Sequence, residues 1–180
     1  MLSDALEIPT GQTLTTDICI IGAGAAGITL AHALNGTSLS VLLLESGAFN
    51  AEADVLALNK GINAGLPYYP LDECRLRFFG GTTNHWGGWC LPPSPEEFGQ
   101  NDWNPHSRWP IGFDEIQPYY AKSLPILDLG PNEFAAPYWE TTERRNLPFA
   151  DEKMYTAMVQ FSAPTRFGQK YREELVQSKN

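Results

Sequence analysis

The first strongly patterned stretch of the chain is Ile18-Cys-Ile-Ile21, an apolar run set between the polar Asp17 and the glycine-rich Gly22-Ala-Gly-Ala-Ala-Gly27. Such a run predicts a strand buried on both faces of a parallel sheet, with Cys19 a small core residue inside it. Past the glycines, Gly27, Ala31 and Leu34 fall at i, i+4 and i+7, which is one face of a helix. Val41-Leu-Leu-Leu44 then repeats the strand pattern and ends on the acid Glu45. Residues 17–47 therefore read as a βαβ unit after a polar lead-in, and the fold class as α/β.

Further on the pattern weakens. Ala53 to Lys60 has helical composition and gives way to a loop at Gly61, Gly65 and Pro67. Residues 67–112 are rich in proline and carry the pairs Gly80-Gly81 and Gly87-Gly88 with Trp86, Trp89, Trp103 and Trp109. Proline removes backbone donors and glycine disfavours regular elements, so this stretch predicts a long irregular insertion. It is too aromatic for a disordered linker, and long irregular segments in folded proteins are usually functional. From Phe113 helical spacing returns at Ile116, Tyr119, Tyr120, Leu124 and Leu127, with Asp114 as N-cap. Pro118 and Pro125 predict a break or kink there. Residues 130–150 read as loop, and residues 168–180 as a helix.

Composition narrows the class. With 180 residues the chain can bury one sizeable core but is short for a complete two-substrate redox enzyme. Its 43% hydrophobic and 18% charged residues are globular proportions. A formal charge of −9 without a basic stripe argues against a nucleic-acid partner. No run approaches the ~18 apolar residues of a membrane span, and the start lacks a secretory signal pattern. Cys19, Cys74 and Cys90 are odd in number and show no C-x-x-C spacing, so no disulfide framework or zinc site is expected. A reduced, cytoplasmic protein is the expectation.

The glycine run carries chemistry. Gly22 suits a tight turn out of the strand, Gly24 lets a pyrophosphate approach the backbone, and Gly27 lets the helix pack close to the sheet. The first-turn N–H groups of that helix have no partner within it and carry partial positive charge, which favours a diphosphate. Glu45 follows Gly22 by 23 residues, near the roughly 20 expected of an acid on a ribose hydroxyl. The pattern is that of a Rossmann-like dinucleotide-binding start. Glutamate there disfavours the 2′-phosphate of NADP, and leaves FAD and NAD open.

A second motif is Phe78-Phe-Gly-Gly-Thr-Thr-Asn-His-Trp-Gly-Gly-Trp-Cys90. Gly80 and Gly81 can bring backbone N–H groups against a ligand, and Thr82 and Thr83 offer hydroxyls to phosphate oxygens. Asn84 both donates and accepts, which suits a heterocycle edge. His85 is the histidine that stands inside a motif. His32, on the first helix, and His106, in a polar loop, read as structural or solvated.

With both motifs in view, the chain resembles the glucose–methanol–choline (GMC) family of flavin oxidoreductases. The resemblance runs through Gly22 to Gly27, Leu44-Glu-Ser-Gly47, Gly80 to Gly88 and Trp109-Pro-Ile with Pro118-Tyr-Tyr. The central motif is similar to the branch with pyranose-oxidase-like and fructose-dehydrogenase-like members. The resemblance implies FAD, with Gly22, Gly24 and Gly27 at the pyrophosphate and Glu45 on the adenosine ribose. It implies that Gly80, Gly81, Thr82, Thr83 and Asn84 run along the pyrophosphate toward the isoalloxazine. His85 stands where pyranose-oxidase-like relatives link histidine covalently to flavin; the alternative is a hydrogen-bonding or packing histidine. The implied reaction is oxidation of a CH–OH group of a sugar, polyol or other small alcohol.

The family's catalytic base and most of its substrate-binding sheet lie far toward the C-terminus, and no residue here matches that base. The resemblance therefore implies a cofactor-binding portion, an incomplete domain inactive by itself. An open sheet also exposes edges and apolar faces, so self-association is expected. Two alternatives remain: a non-catalytic remnant or interaction module, and an NAD-linked dehydrogenase or flavin monooxygenase sharing the βαβ start. The tryptophans fit either a sugar-stacking surface or, more commonly for such residues, core beneath irregular loops.

Overall fold

The computed structural model describes residues 2–99, 104, 106–149 and 154–180. Trp103 lies outside them. In chain order the regular elements are β1 (Ile18–Ile21), α1 (Ala25–Leu34), β2 (Val41–Leu44), α2 (Ala53–Ala57), α3 (Leu71–Cys74), β3 (Trp89–Cys90), α4 (Phe113–Ser123), β4 (Gln160–Phe161), α5 (Phe167–Lys170) and α6 (Arg172–Gln177). Short 3-10 turns sit between them, including Gly81–Asn84. The protein is a mixed α/β chain with a small parallel sheet. It divides into two compact units, one of Met1–Trp86 with Arg166–Asn180 and one of Gly87–Thr165.

In the first unit β1 and β2 pair in parallel, with Ile18 opposite Val41 and Ile21 opposite Leu44. Parallel neighbours need a crossover, and α1 supplies it while packing on both strands. The ladder is fastened at both ends. At the start, Asp17 accepts the Ser40 N–H at 2.8 Å and the Ser40 hydroxyl at 2.7 Å, and these bonds hold its carboxyl below the ordinary carboxylate range. At the far end, the Gly22 N–H donates to the Leu44 carbonyl at 2.7 Å.

The core of this unit is formed by Ile20, Ala23, Ile28, Ala31, Phe167 and Tyr171. Phe167 comes from α5 and Tyr171 from the joint between α5 and α6, so a distant part of the sequence closes the interior. Burial of β1 differs from the two-faced expectation. Ile20 points inward, but Cys19 is exposed and Ile21 is 85% exposed. Among the described residues the sheet has two strands, and α1 covers one face of it. Cys19 is therefore not a core residue.

One local boundary also shifts. The helix read at Ala53 to Lys60 ends at Ala57, where Asn59 and Lys60 close back on Leu56 and Ala57 as turns. The Asn59 side chain is used elsewhere, donating to the Arg75 carbonyl at 2.8 Å.

In the second unit β3 and β4 form a two-residue antiparallel pair, Trp89 opposite Phe161 and Cys90 opposite Gln160. Gly88 has φ +78° and lies against Ser162, whose N–H donates to the Gly88 carbonyl at 2.8 Å. Gln160 is buried with its amide satisfied: Nε2 donates to the Pro131 and Glu133 carbonyls, and Oε1 accepts the Gly130 N–H. Helix α4 runs unbroken through Pro118 and ends at Ser123; Leu124 still has helical backbone, but Pro125 after it has no N–H to continue the ladder. Its N-cap is Gly112 rather than Asp114, with the Gly112 N–H donating to the Glu115 carboxylate at 2.8 Å. Trp89 and Trp109 are 69% and 57% exposed, so neither fills a core. Instead Trp89 meets Phe161 edge-on at 5.2 Å, and Trp109 leans on Phe98.

Candidate functional site

The site is built where β1 ends. Gly22 has φ +97°, a left-handed conformation that glycine adopts without strain, and it turns the chain sharply into α1. Gly27 sits one helical turn later. A methyl group there would stand 1.9 Å from the Gly22 carbonyl oxygen and 3.3 Å from Ile20 Cγ2. Only a hydrogen fits, and helix and turn therefore pack backbone to backbone. Gly24, the N-cap of α1, differs. A methyl group on it would meet no protein atom within 4 Å, so packing within the chain does not demand glycine there.

The second motif folds onto the first. Gly80, buried with φ +98°, donates its N–H to the Ala23 carbonyl at 2.7 Å. A methyl group on Gly81 would stand 3.0 Å from Gly24 Cα. Helix α5 buttresses this corner from behind: Gly168 is so close to the Phe79 carbonyl that a side chain there would come within 2.3 Å. Arg166 donates from one Nη to the Trp86 carbonyl at 2.7 Å and the Thr83 carbonyl at 3.2 Å, holding the turn that carries His85.

These contacts leave an open cleft of about 550 Å³ lined by Gly22, Gly24, Glu45, Ser46, Arg77, Gly81 and Thr82, with Ile21, Leu44 and Leu76 as its apolar wall. Of the residues that the sequence singled out, Gly22, Gly24, Glu45, Gly81 and Thr82 line it together. Gly27 and Gly80 lie behind it as packing positions. Thr83 donates its hydroxyl to the Gly80 carbonyl at 2.5 Å, and Asn84 donates its amide to the Phe79 carbonyl at 2.9 Å. Both side chains thus brace the turn from inside. Thr82 accepts the Leu76 N–H at 3.3 Å, and its hydroxyl hydrogen stays available to donate. His85 is exposed at the end of the turn.

Glu45 has a task that spacing alone does not reveal. Its Oε2 accepts the Ala23 N–H at 2.8 Å, while Oε1 accepts from the Ser46 N–H at 2.9 Å, the Ser46 hydroxyl at 3.2 Å and the Gly47 N–H at 3.2 Å. The carboxylate ties the glycine turn to the end of β2. Ser46 stands inside Leu44-Glu-Ser-Gly47 and Arg77 just before the second motif, but the sequence singles out neither as a site residue.

No protein-family model matches the chain. It is similar to the large subunit of fructose dehydrogenase from Gluconobacter japonicus, at 26% identity over 165 residues, covering 68% of this chain and 29% of that subunit. The chain thus spans less than a third of the length of this relative. Among the described residues there is no helix long and apolar enough to cross a membrane.

Proposed function

We propose that this chain is the flavin-binding part of a GMC-type oxidoreductase that oxidises a CH–OH group of a sugar, polyol or other small alcohol. The observation that carries the reading is the Gly80 to Ala23 hydrogen bond at 2.7 Å, which brings both glycine motifs to one cleft. The similarity to a fructose dehydrogenase subunit supports the same chemistry. On this reading β1, α1 and β2 are a Rossmann-like start, and the cleft takes the ADP half of FAD.

The cleft suits that group. The open space over Gly24 admits a diphosphate, and the unpaired amides of the first turn of α1 offer donors without a charged side chain. Thr82 adds a hydroxyl, and Glu45 offers a carboxylate to the ribose. Bound there, the flavin would supply the hydride-accepting chemistry. The residues of this chain bind and orient it; none of them is assigned as the base that takes the substrate hydroxyl proton. His85, exposed at the rim of the second motif, is the candidate for a covalent tether.

Titrating the purified chain with FAD, while recording flavin absorbance and fluorescence, tests the reading. Saturable FAD binding displaced by ADP is expected. Binding of NAD in preference to FAD, or of neither, would overturn it. Acid precipitation of the loaded protein then reports on His85: a yellow pellet means a covalent tether, and a colourless pellet under a yellow supernatant excludes one.

A further inference from the structure

Among the residues lining the cleft, Arg77 carries the only positive charge and Glu45 the only negative one. They do not pair directly. Arg77 Nε donates to the Ser46 hydroxyl at 2.8 Å, and that hydroxyl stands 3.2 Å from Glu45 Oε1. A guanidinium can only donate, so the Ser46 oxygen is the acceptor in the first bond and its own proton is directed to Glu45 in the second. Arg77 is fixed in turn by Asn59, whose Oδ1 accepts from Nη1 at 3.2 Å. The result is a one-way chain from Arg77 through Ser46 to Glu45.

The chain determines which part of the carboxylate faces a ligand. Three donors, the Ser46 hydroxyl and the Ser46 and Gly47 amides, converge on Oε1. Oε2 receives the Ala23 N–H, and a carboxylate oxygen has a second lone pair to offer. We infer that Arg77, acting through Ser46, is a positioning residue that turns Glu45 Oε2 toward a ribose hydroxyl and so makes the cleft prefer ribonucleotides. The inference rests on the adenine-dinucleotide reading of the cleft given above.

Calorimetric titration with ADP and with 2′-deoxy-ADP tests it in the wild-type chain and in R77A, R77K, S46A, E45Q and R77A/S46A. The wild-type chain should prefer ADP by about tenfold, the scale of one hydrogen bond to a charged group. R77A and S46A should each abolish that preference, as E45Q does, by weakening ADP several-fold more than 2′-deoxy-ADP. The double variant should be no worse than either single one, and R77K should restore part of the preference. If R77A weakens both nucleotides equally, Arg77 contacts the phosphates directly and the relay is wrong. If R77A and S46A keep the wild-type preference, or the wild-type chain shows none, the relay is likewise overturned. A wild-type chain that binds neither nucleotide removes the cofactor reading itself. Melting curves confirm that each variant is folded, and S46A tests the relay even if R77A is not.

Discussion

The amide of Gly80 donates to the carbonyl of Ala23 at 2.7 Å, joining two motifs that lie 57 residues apart. Neither motif alone forms the cleft: the first provides the turn and the helix start, the second its facing wall. Four glycines around this corner have different physical reasons to be glycine. Gly22 and Gly80 need a left-handed backbone, Gly27 needs absence of bulk, and Gly24 faces open space.

That difference is measurable by substitution. Gly27→Ala must displace backbone, because its methyl group would lie 1.9 Å from the Gly22 oxygen. A loss of about 1–3 kcal/mol or more is expected, read by urea denaturation. Gly24→Ala should melt close to wild type but bind FAD or ADP more weakly. Equal stability losses in both variants would contradict the assignment.

Arg166→Ala removes two charge-assisted bonds, to the Thr83 and Trp86 carbonyls. Hydrogen bonds to charged groups contribute about 1.5–3 kcal/mol each where they are sheltered. Faster hydrogen exchange is expected at the His85 amide, which donates to Thr82 within this turn. Unchanged exchange there would show that the turn holds itself.

Glu174 on α6 should make stability depend on pH. Burial pushes its carboxyl up, but hydrogen bonds from Asn35 and His32 and the charge of His32 outweigh that and hold it below 4.5, its ordinary value. The His32 and Asn35 bonds are 2.7 and 2.9 Å long. A carboxyl whose folded pKa is lowered stabilises the fold above its unfolded pKa, and that contribution is lost as pH falls through the lowered value. The pair is partly exposed, so its worth is on the order of 0.2–1 kcal/mol. Glu174→Gln should therefore melt lower than wild type at pH 7. The gap should close on acidification below the ordinary glutamate range, and a gap constant with pH would refute this linkage.

Exposed apolar side chains at the end of β1 and in the loop after α2 predict association. Ile21 is 85% exposed, and Ile62 and Leu66 are more so. Light scattering should show concentration-dependent growth in mass, weakened by Ile62→Lys or Leu66→Lys. A chain that stays monomeric across the concentration range would refute the expectation.

The βαβ start was legible because its signals are local: apolar runs, glycine spacing and a terminal acid give β1, α1 and β2 within residues 17–47. What failed was burial. Apolarity alone does not tell whether a second layer is present, so the run predicts core at Cys19 and Ile21 although both lie at the surface. Trp89 and Trp109 misled in the same way. The docking of α5 and α6 was not legible either, because the tightness of Gly168 against Phe79 depends on residues nearly ninety apart in sequence. Likewise Arg77 and Ser46 join the site through side-chain bonds that no periodicity records.

The chain leaves the first unit at Trp86 and rejoins it at Arg166. This interruption imposes an order on biosynthesis. The glycine corner is translated early, yet Arg166, Phe167 and Gly168, which close it, follow only after the whole intervening unit has emerged from the ribosome. Until then the interior around Ile28 lacks its lid, and the nascent chain at that stage is the one most in need of a chaperone.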